Sequence, residues 1–245
     1  MSWILRCGEM VMRLFAALLG FWIATVVLGS CTEPTTKHAN TQEEGRVIYE
    51  VTFPDEPETI TMELYPSEMT VYFKHGKMRS EVRSGLNLLV TNIIVNHDAH
   101  TLTQMLKNIS RKHAMVLDES QTRAWLNKFP MFKYEHTAEV DSLAGMPCAI
   151  SIAYPSDTTQ KPIRLYHTRG IPLQGTNWWN PYRGINGFLL GYEVNQYGMR
   201  MVMRAKEIFF EPVDDQVFSV PAEYKMVQSA QMDSLMQKVV HDFME

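Results

Sequence analysis

Residues 199–210 read Met-Arg-Met-Val-Met-Arg-Ala-Lys-Glu-Ile-Phe-Phe. Met199, Met201, Met203 and Ala205 alternate with Arg200, Arg204 and Lys206. Successive side chains of a strand point to opposite faces, so this stretch sets an apolar, methionine-bearing face against a basic one. One covered face and one wet face are the mark of an antiparallel sheet. The three methionines are the expected lining of a concave apolar sheet face.

The same alternation extends on both sides. Val47, Tyr49, Val51 and Phe53 share one face, and Ile60, Met62 and Leu64 alternate with Thr59, Thr61 and Glu63. Residues 71–74, 77–83, 88–95 and 101–107 continue the series, with His75-Gly76 as a tight turn. Further strands are predicted over 133–141, 147–154, 162–168 and 187–195. Period-2 patterning with closely spaced turn residues describes an antiparallel meander. Two stretches break it. Residues 119–129, ESQTRAWLNKF, predict a short helix with Ser120 as N-cap, Trp125, Leu126 and Phe129 on one face and Pro130 as its stop. Residues 222–243 lack Gly and Pro and repeat apolar residues at three and four, as an amphipathic C-terminal helix does. The expected fold is mainly β (α+β): a half-open antiparallel β-sheet or half-barrel, covered by the short helix and the C-terminal amphipathic helix. Nothing divides residues 45–245, so they are read as one domain.

Composition narrows the function. The 245 residues are 45% hydrophobic and 20% charged, ordinary globular values that exclude a disordered tail, a coiled coil and a collagen-like repeat. A net charge of −4 argues against nucleic acid as a partner. Three cysteines exclude a disulfide-stapled miniprotein.

The N-terminus reads as an address. Arg6 and Arg13 precede an uncharged apolar run at 14–27, followed by Leu28-Gly29-Ser30-Cys31. These are the parts of a secretory signal. The run is short for a membrane span of about 20 residues. The Leu-Gly-Ser-Cys tetrad resembles the lipobox of bacterial lipoproteins. That resemblance implies cleavage before Cys31 and diacylation of its thiol, with residues 1–30 as signal and 31–44 as lipidated cysteine and flexible tether. An ordinary signal peptide and a retained anchor are the alternatives, and Met12 is an alternative start. Thr32, where aspartate would favour inner-membrane retention, implies an outer-membrane lipoprotein of a Gram-negative envelope, facing the periplasm or the surface. Two acyl chains would hold it stably on that membrane.

Residues 140–224 carry a second resemblance. Val140-Asp-Ser-Leu-Ala-Gly-Met-Pro-Cys148, Tyr182-Arg-Gly-Ile-Asn-Gly-Phe-Leu-Leu-Gly-Tyr-Glu-Val194 and Val217-Phe-Ser-Val-Pro-Ala-Glu-Tyr-Lys225 resemble the uncharacterised GLPGLI-type families of Gram-negative envelopes. Gly184-Ile-Asn-Gly-Phe-Leu189 is a degenerate form of their signature. The resemblance implies a sheet wrapped around helices, like the lipoprotein carriers LolA and LolB, which hold acyl chains in an apolar cavity. It implies no activity.

Catalytic and metal motifs are missing: there is no G-x-S-x-G, P-loop, G-x-G-x-x-G or H-E-x-x-H. His97-Asp98-Ala99-His100 supplies too few ligands for zinc and reads as a hydrophilic turn. Asp118-Glu119 and Asp214-Asp215 read as caps and turns, and Cys148 as a packed thiol without a basic neighbour. No catalytic residue, metal or cofactor is therefore expected. The most suggestive loop is 175–182, where Trp178, Trp179 and Tyr182 sit among Gly, Asn and Pro. It is either a lip or docking loop, since exposed aromatics mark contact surfaces, or a plug folded back onto the sheet. The leading expectation is a non-enzymatic lipoprotein that binds a lipid or other hydrophobic ligand in its concave face. A structural accessory subunit with an envelope protein partner is the alternative. A hydrolytic enzyme would need a cluster assembled in space, from Tyr166, His167, Arg169 and His136.

Overall fold

A computed structural model describes residues 43–56, 65–84, 87–173, 175 and 177–244. The signal, Cys31, most of the tether and the strand expected at 60–64 lie outside them. Twelve strands form one sheet among the described residues: β1 (Glu44–Thr52), β2 (Glu68–Lys74), β3 (Lys77–Arg83), β4 (Leu89–Asn96), β5 (Thr101–Asn108), β6 (Arg111–Leu117), β7 (Phe132–Leu143), β8 (Met146–Pro155), β9 (Ile163–Thr168), β10 (Phe188–Gln196), β11 (Met199–Phe209) and β12 (Lys225–Met226). Helix α1 spans Glu119–Leu126 and α2 spans Ser229–Met244. The sheet order is β12-β6-β5-β4-β3-β2-β1-β11-β10-β9-β8-β7, and it is not closed.

Two meanders meet where β1 pairs with β11. The step between them fixes the shape. β6 and β7 follow each other in the chain yet lie ten strand intervals apart, which in a flat sheet is about 48 Å at about 4.8 Å per interval. From Leu117 to Phe132 the chain takes fifteen steps, eight of them in α1. Helical rise gives these eight about 12 Å, and seven extended steps add at most about 24 Å. A reach of about 36 Å cannot span about 48 Å, so the sheet must curve. Within the second meander the bend is direct: β7 returns to within 8 Å of β11 although three strands separate them.

Curvature gives the sheet an inner face. Tyr49, Val51, Phe73 and Met203 are buried there in one cluster. Trp125 of α1 and Met232 and Val239 of α2 pack on Leu102, Leu106 and Met115 of β5 and β6. A bulge keeps β11 in phase. Ile48 faces Glu207 while Tyr49 faces Ala205, so Lys206 is the extra residue. Because side chains alternate, one inserted residue reverses which parity points inward. Met203 and Ala205 are therefore buried before it, and Ile208 packs on the same core after it.

The structure corrects the sequence reading in five places. The sheet is mixed, because β12 runs parallel to β6. Strand β6 was not expected, because Arg111, Lys112 and His113 hide its alternation. The cap of α1 is Asp118, not Ser120: Asp118 accepts from the Gln121 N–H at 2.8 Å, and the Gln121 side chain accepts from the Asp118 N–H at 3.0 Å. Helix α2 starts at Ser229, not 222. The residues before it close the free edge of β6, where the Val227 N–H donates to the Ala114 carbonyl at 2.8 Å. The outer face is not uniformly wet either. Phe218, Val220 and Tyr224 pack against buried Ile94, Met105 and Ala114.

Candidate functional site: an apolar cavity on the inner face

The inner face holds a partly open cavity of about 250 Å3, bounded by strands of both meanders, by α1 and α2 and by the β9–β10 connection. Met199, Met201 and Met203 all line it, with Met69, Met78 and Met236. Met203 is buried, and Met199 and Met201 are half-buried because their outer surface faces the cavity. Unbranched thioethers adapt to irregular space, which suits such a wall. Among the described residues, no Asp, Glu, Lys, Arg or His lines the cavity.

The loop with the three aromatics folds back onto this face. Tyr182 is 2% exposed. Its ring lies 5.1 Å from Phe132 and 6.3 Å from Tyr192, and its hydroxyl donates to the Glu193 carbonyl. Trp179 packs between two core clusters and lines the cavity; Trp178 packs against one of them and, 5.5 Å away, the His100 ring. The polar residues pin the backbone. Asn177 donates to the Ile185 and Gly187 carbonyls at 2.8 and 2.9 Å, Asn180 donates to the Asn177 side chain at 2.9 Å, and the Tyr182 N–H donates to Asn180 at 2.8 Å. The polar composition that suggested an exposed loop thus supplies internal ties. Gly187 completes the turn: its φ is +136°, and a Cβ there would meet the Thr168 carbonyl oxygen at 2.8 Å.

Three tyrosines, only one of which the sequence had singled out, surround the middle of the cavity. The Tyr49 hydroxyl donates to the Leu189 carbonyl at 2.6 Å, and Tyr182 has its partner above. Among the described residues, Tyr192 has only the Met69 sulfur, at 4.0 Å. Burial holds all three phenols well above their ordinary range, so each is a neutral donor at any physiological pH. The signal in sequence was the parity of Tyr49 with Val47 and Val51, and of Tyr192 with Val194.

Histidines hold two ends of the same connection. His97 sits in the expected turn between β4 and β5 but is not wet: it is 8% exposed, its ring lies against the Gly175 backbone, and neither ring nitrogen makes a well-formed hydrogen bond among the described residues. Burial pushes it below its ordinary value. At the other end, Ser151 bridges His136 and His167 at 2.9 Å on each side. Burial, then the neighbouring His136, lower His167. The structure therefore joins His136 and His167, while Tyr166 points to the opposite face beneath Arg204 and Arg169 is exposed. Ser151 itself is completely inaccessible. Cys148 is buried, donates to the Met146 carbonyl at 3.4 Å and is raised by burial. No group of three metal-ligating side chains occurs among the described residues, and no helix among them is long and apolar enough to cross a membrane.

No protein-family model matches the chain, and no curated protein matches it. The GLPGLI-type resemblance therefore rests on the residues quoted above alone. Among solved structures, the chain is similar to PNGF-II with a TM-score of 0.52 at 11% identity, covering 80% of this chain and 33% of that one. It is more distantly similar to MucB in complex with MucA, with a TM-score of 0.32 at 13% identity over 78% of this chain and 60% of that one. The Pseudomonas aeruginosa MucA/MucB complex gives 0.34 at 12%, over 78% and 61%. This chain spans about a third of the PNGF-II chain it matches. At such identity the PNGF-II likeness is one of fold.

Proposed function

We propose that the chain is a non-enzymatic envelope lipoprotein that carries a small hydrophobic ligand on the inner face of a LolA- and LolB-like half-barrel. In this reading Cys31 bears the acyl chains, and residues 31–44 tether the domain to the outer membrane. One observation carries the proposal: a methionine-rich cavity of about 250 Å3 with no charged group among its described lining residues. Sites for drug-sized ligands usually measure about 300–1,000 Å3, so the ligand is small or enters as a single chain. A largely apolar cavity of this kind gains affinity from an apolar guest that removes its surface from water. Protein released from its own membrane and extracted with organic solvent should yield, by mass spectrometry, about one hydrophobic molecule per chain. Recovering none, with none taken up on incubation, would refute the proposal.

The accessory-subunit reading draws on a separate observation. Leu88, Ile109, Met131 and Tyr154 are exposed large apolar residues, and all sit where strand ends reach one edge of the sheet. Ile109 and Leu88 are joined directly, N–H to carbonyl, at 2.6 Å. Ile109→Asp should abolish co-purification of a partner if this end is a contact surface. A hydrolytic reading has less support, because solvent does not reach Ser151.

A further inference from the structure

We infer that the cavity selects uncharged ligands bearing one hydrogen-bond acceptor, which the Tyr192 hydroxyl receives. This rests on the hydrophobic-ligand reading and specifies its chemistry. The first ground is charge. A carboxylate or phosphate buried in this cavity would meet no Lys, Arg or His among the described lining residues, and an ammonium group would meet no Asp or Glu. A buried charge without a partner is strongly disfavoured, so ionised ligands lose affinity by desolvation alone.

The second ground is one spare donor. Tyr49 and Tyr182 spend their hydroxyls on backbone carbonyls, of Leu189 and Glu193. Among the described residues, Tyr192 spends its own on nothing stronger than a sulfur at 4.0 Å, and thioethers are weak acceptors. Its ring is held edge-on by both other tyrosines, with centroids at 6.1 and 6.3 Å. The hydroxyl is thus fixed in place, protonated and underused, in the wall of a largely apolar and uncharged chamber. A carbonyl or ether oxygen of a ligand is the group that would complete it. Gln104 and Thr91 add only uncharged polar atoms to the facing wall. A neutral ester or alcohol on an apolar chain has this chemistry, whereas a free fatty acid at neutral pH does not.

The test uses the full chain and three brominated probes of one medium chain length: a methyl ester, the free acid and the alkane. Trp125 and Trp179 line the cavity, so bromine seated there quenches their fluorescence. At pH 7.5 the ester should bind at least tenfold more tightly than the acid, and the gap should close near pH 4, where the carboxyl is half protonated. Tyr192→Phe should weaken the ester about two- to tenfold, the worth of one hydrogen bond, and leave the alkane unchanged. An acid that binds as tightly as the ester overturns the inference but leaves a hydrophobic site. Equal losses for ester and alkane in Tyr192→Phe remove the role assigned to that hydroxyl. Quenching by none of the three probes overturns the hydrophobic-ligand reading itself.

Discussion

Replacing Tyr182 separates a loop packed into the molecule from an aromatic lip that moves over it. The ring is 2% exposed and touches Phe132 and Tyr192. Truncating a buried aromatic to alanine costs about 3–5 kcal/mol, and loss of the hydroxyl bond to the Glu193 carbonyl is worth about 1 kcal/mol. Tyr182→Ala should therefore destabilise the domain by about 4–6 kcal/mol, a large share of the roughly 5–15 kcal/mol of an ordinary domain. For a domain of this size each kcal/mol moves the midpoint by about 2–4 °C, so thermal unfolding followed by circular dichroism should shift down by about 8–24 °C. Tyr182→Phe keeps the ring and loses only the hydrogen bond, and should shift by about 2–5 °C. If Tyr182→Ala unfolds within about 2 °C of the parent, the loop contributes no packing and the cavity wall described above does not hold.

Three further outcomes follow from particular residues. Ile109 has φ +54° at a two-residue hairpin turn and is 65% exposed; a β-branched residue pays about 1–2 kcal/mol there, so Ile109→Gly should raise the thermal midpoint by about 2–4 °C, and an unchanged or lower midpoint would count against the strained turn. His97 and His167 both have folded values lowered by burial. The unfolded chain therefore takes up their protons first, and stability present above about pH 6.5 should be lost as pH falls below it, by up to about 1.4 kcal/mol per pH unit for each histidine. Urea midpoints at pH 7.5 and 5.5 should converge in His97→Gln relative to the parent; an equal gap in both proteins would show that His97 is not titrating. Deleting Lys206 removes the extra residue and leaves Glu207 directly after Ala205, opposite Ile48 and Tyr49, so Ile208 and Phe210 keep their inward parity and unfolding should stay cooperative with a midpoint within about 5 °C of the parent; loss of the cooperative transition would count against this register.

Much of the sheet was legible because alternation is a local signal. Lys77–Arg83 was bounded correctly, and the shared parity of Met199, Met201 and Met203 marks one wall of the cavity from the sequence alone. What escaped depends on pairing and packing that periodicity does not encode. Arg111 and Lys112 mask β6, whose reality comes from pairing with β5. Residues 222–228 have helical spacing, but their backbone is claimed by the open edge of β6. His97 sits in a run of turn residues and looks wet, yet it is buried with its ring against the Gly175 backbone, far along the chain. Trp178, Trp179 and Tyr182 were visible as unusual, but whether they faced outward depended on the Asn177 and Asn180 side-chain bonds, which no periodicity encodes.

The central claim is that an uncharged hydrophobic ligand enters the methionine-walled cavity, and methionine methyl NMR tests it most directly. With 13C-methyl methionine in the full chain, adding a medium-chain methyl ester should shift the signals of Met69, Met199, Met201, Met203 and Met236, which line the cavity. The exposed Met131 and Met226 should not move. Shifts confined to Met131 and Met226, or no shifts at saturating ester, would contradict the account.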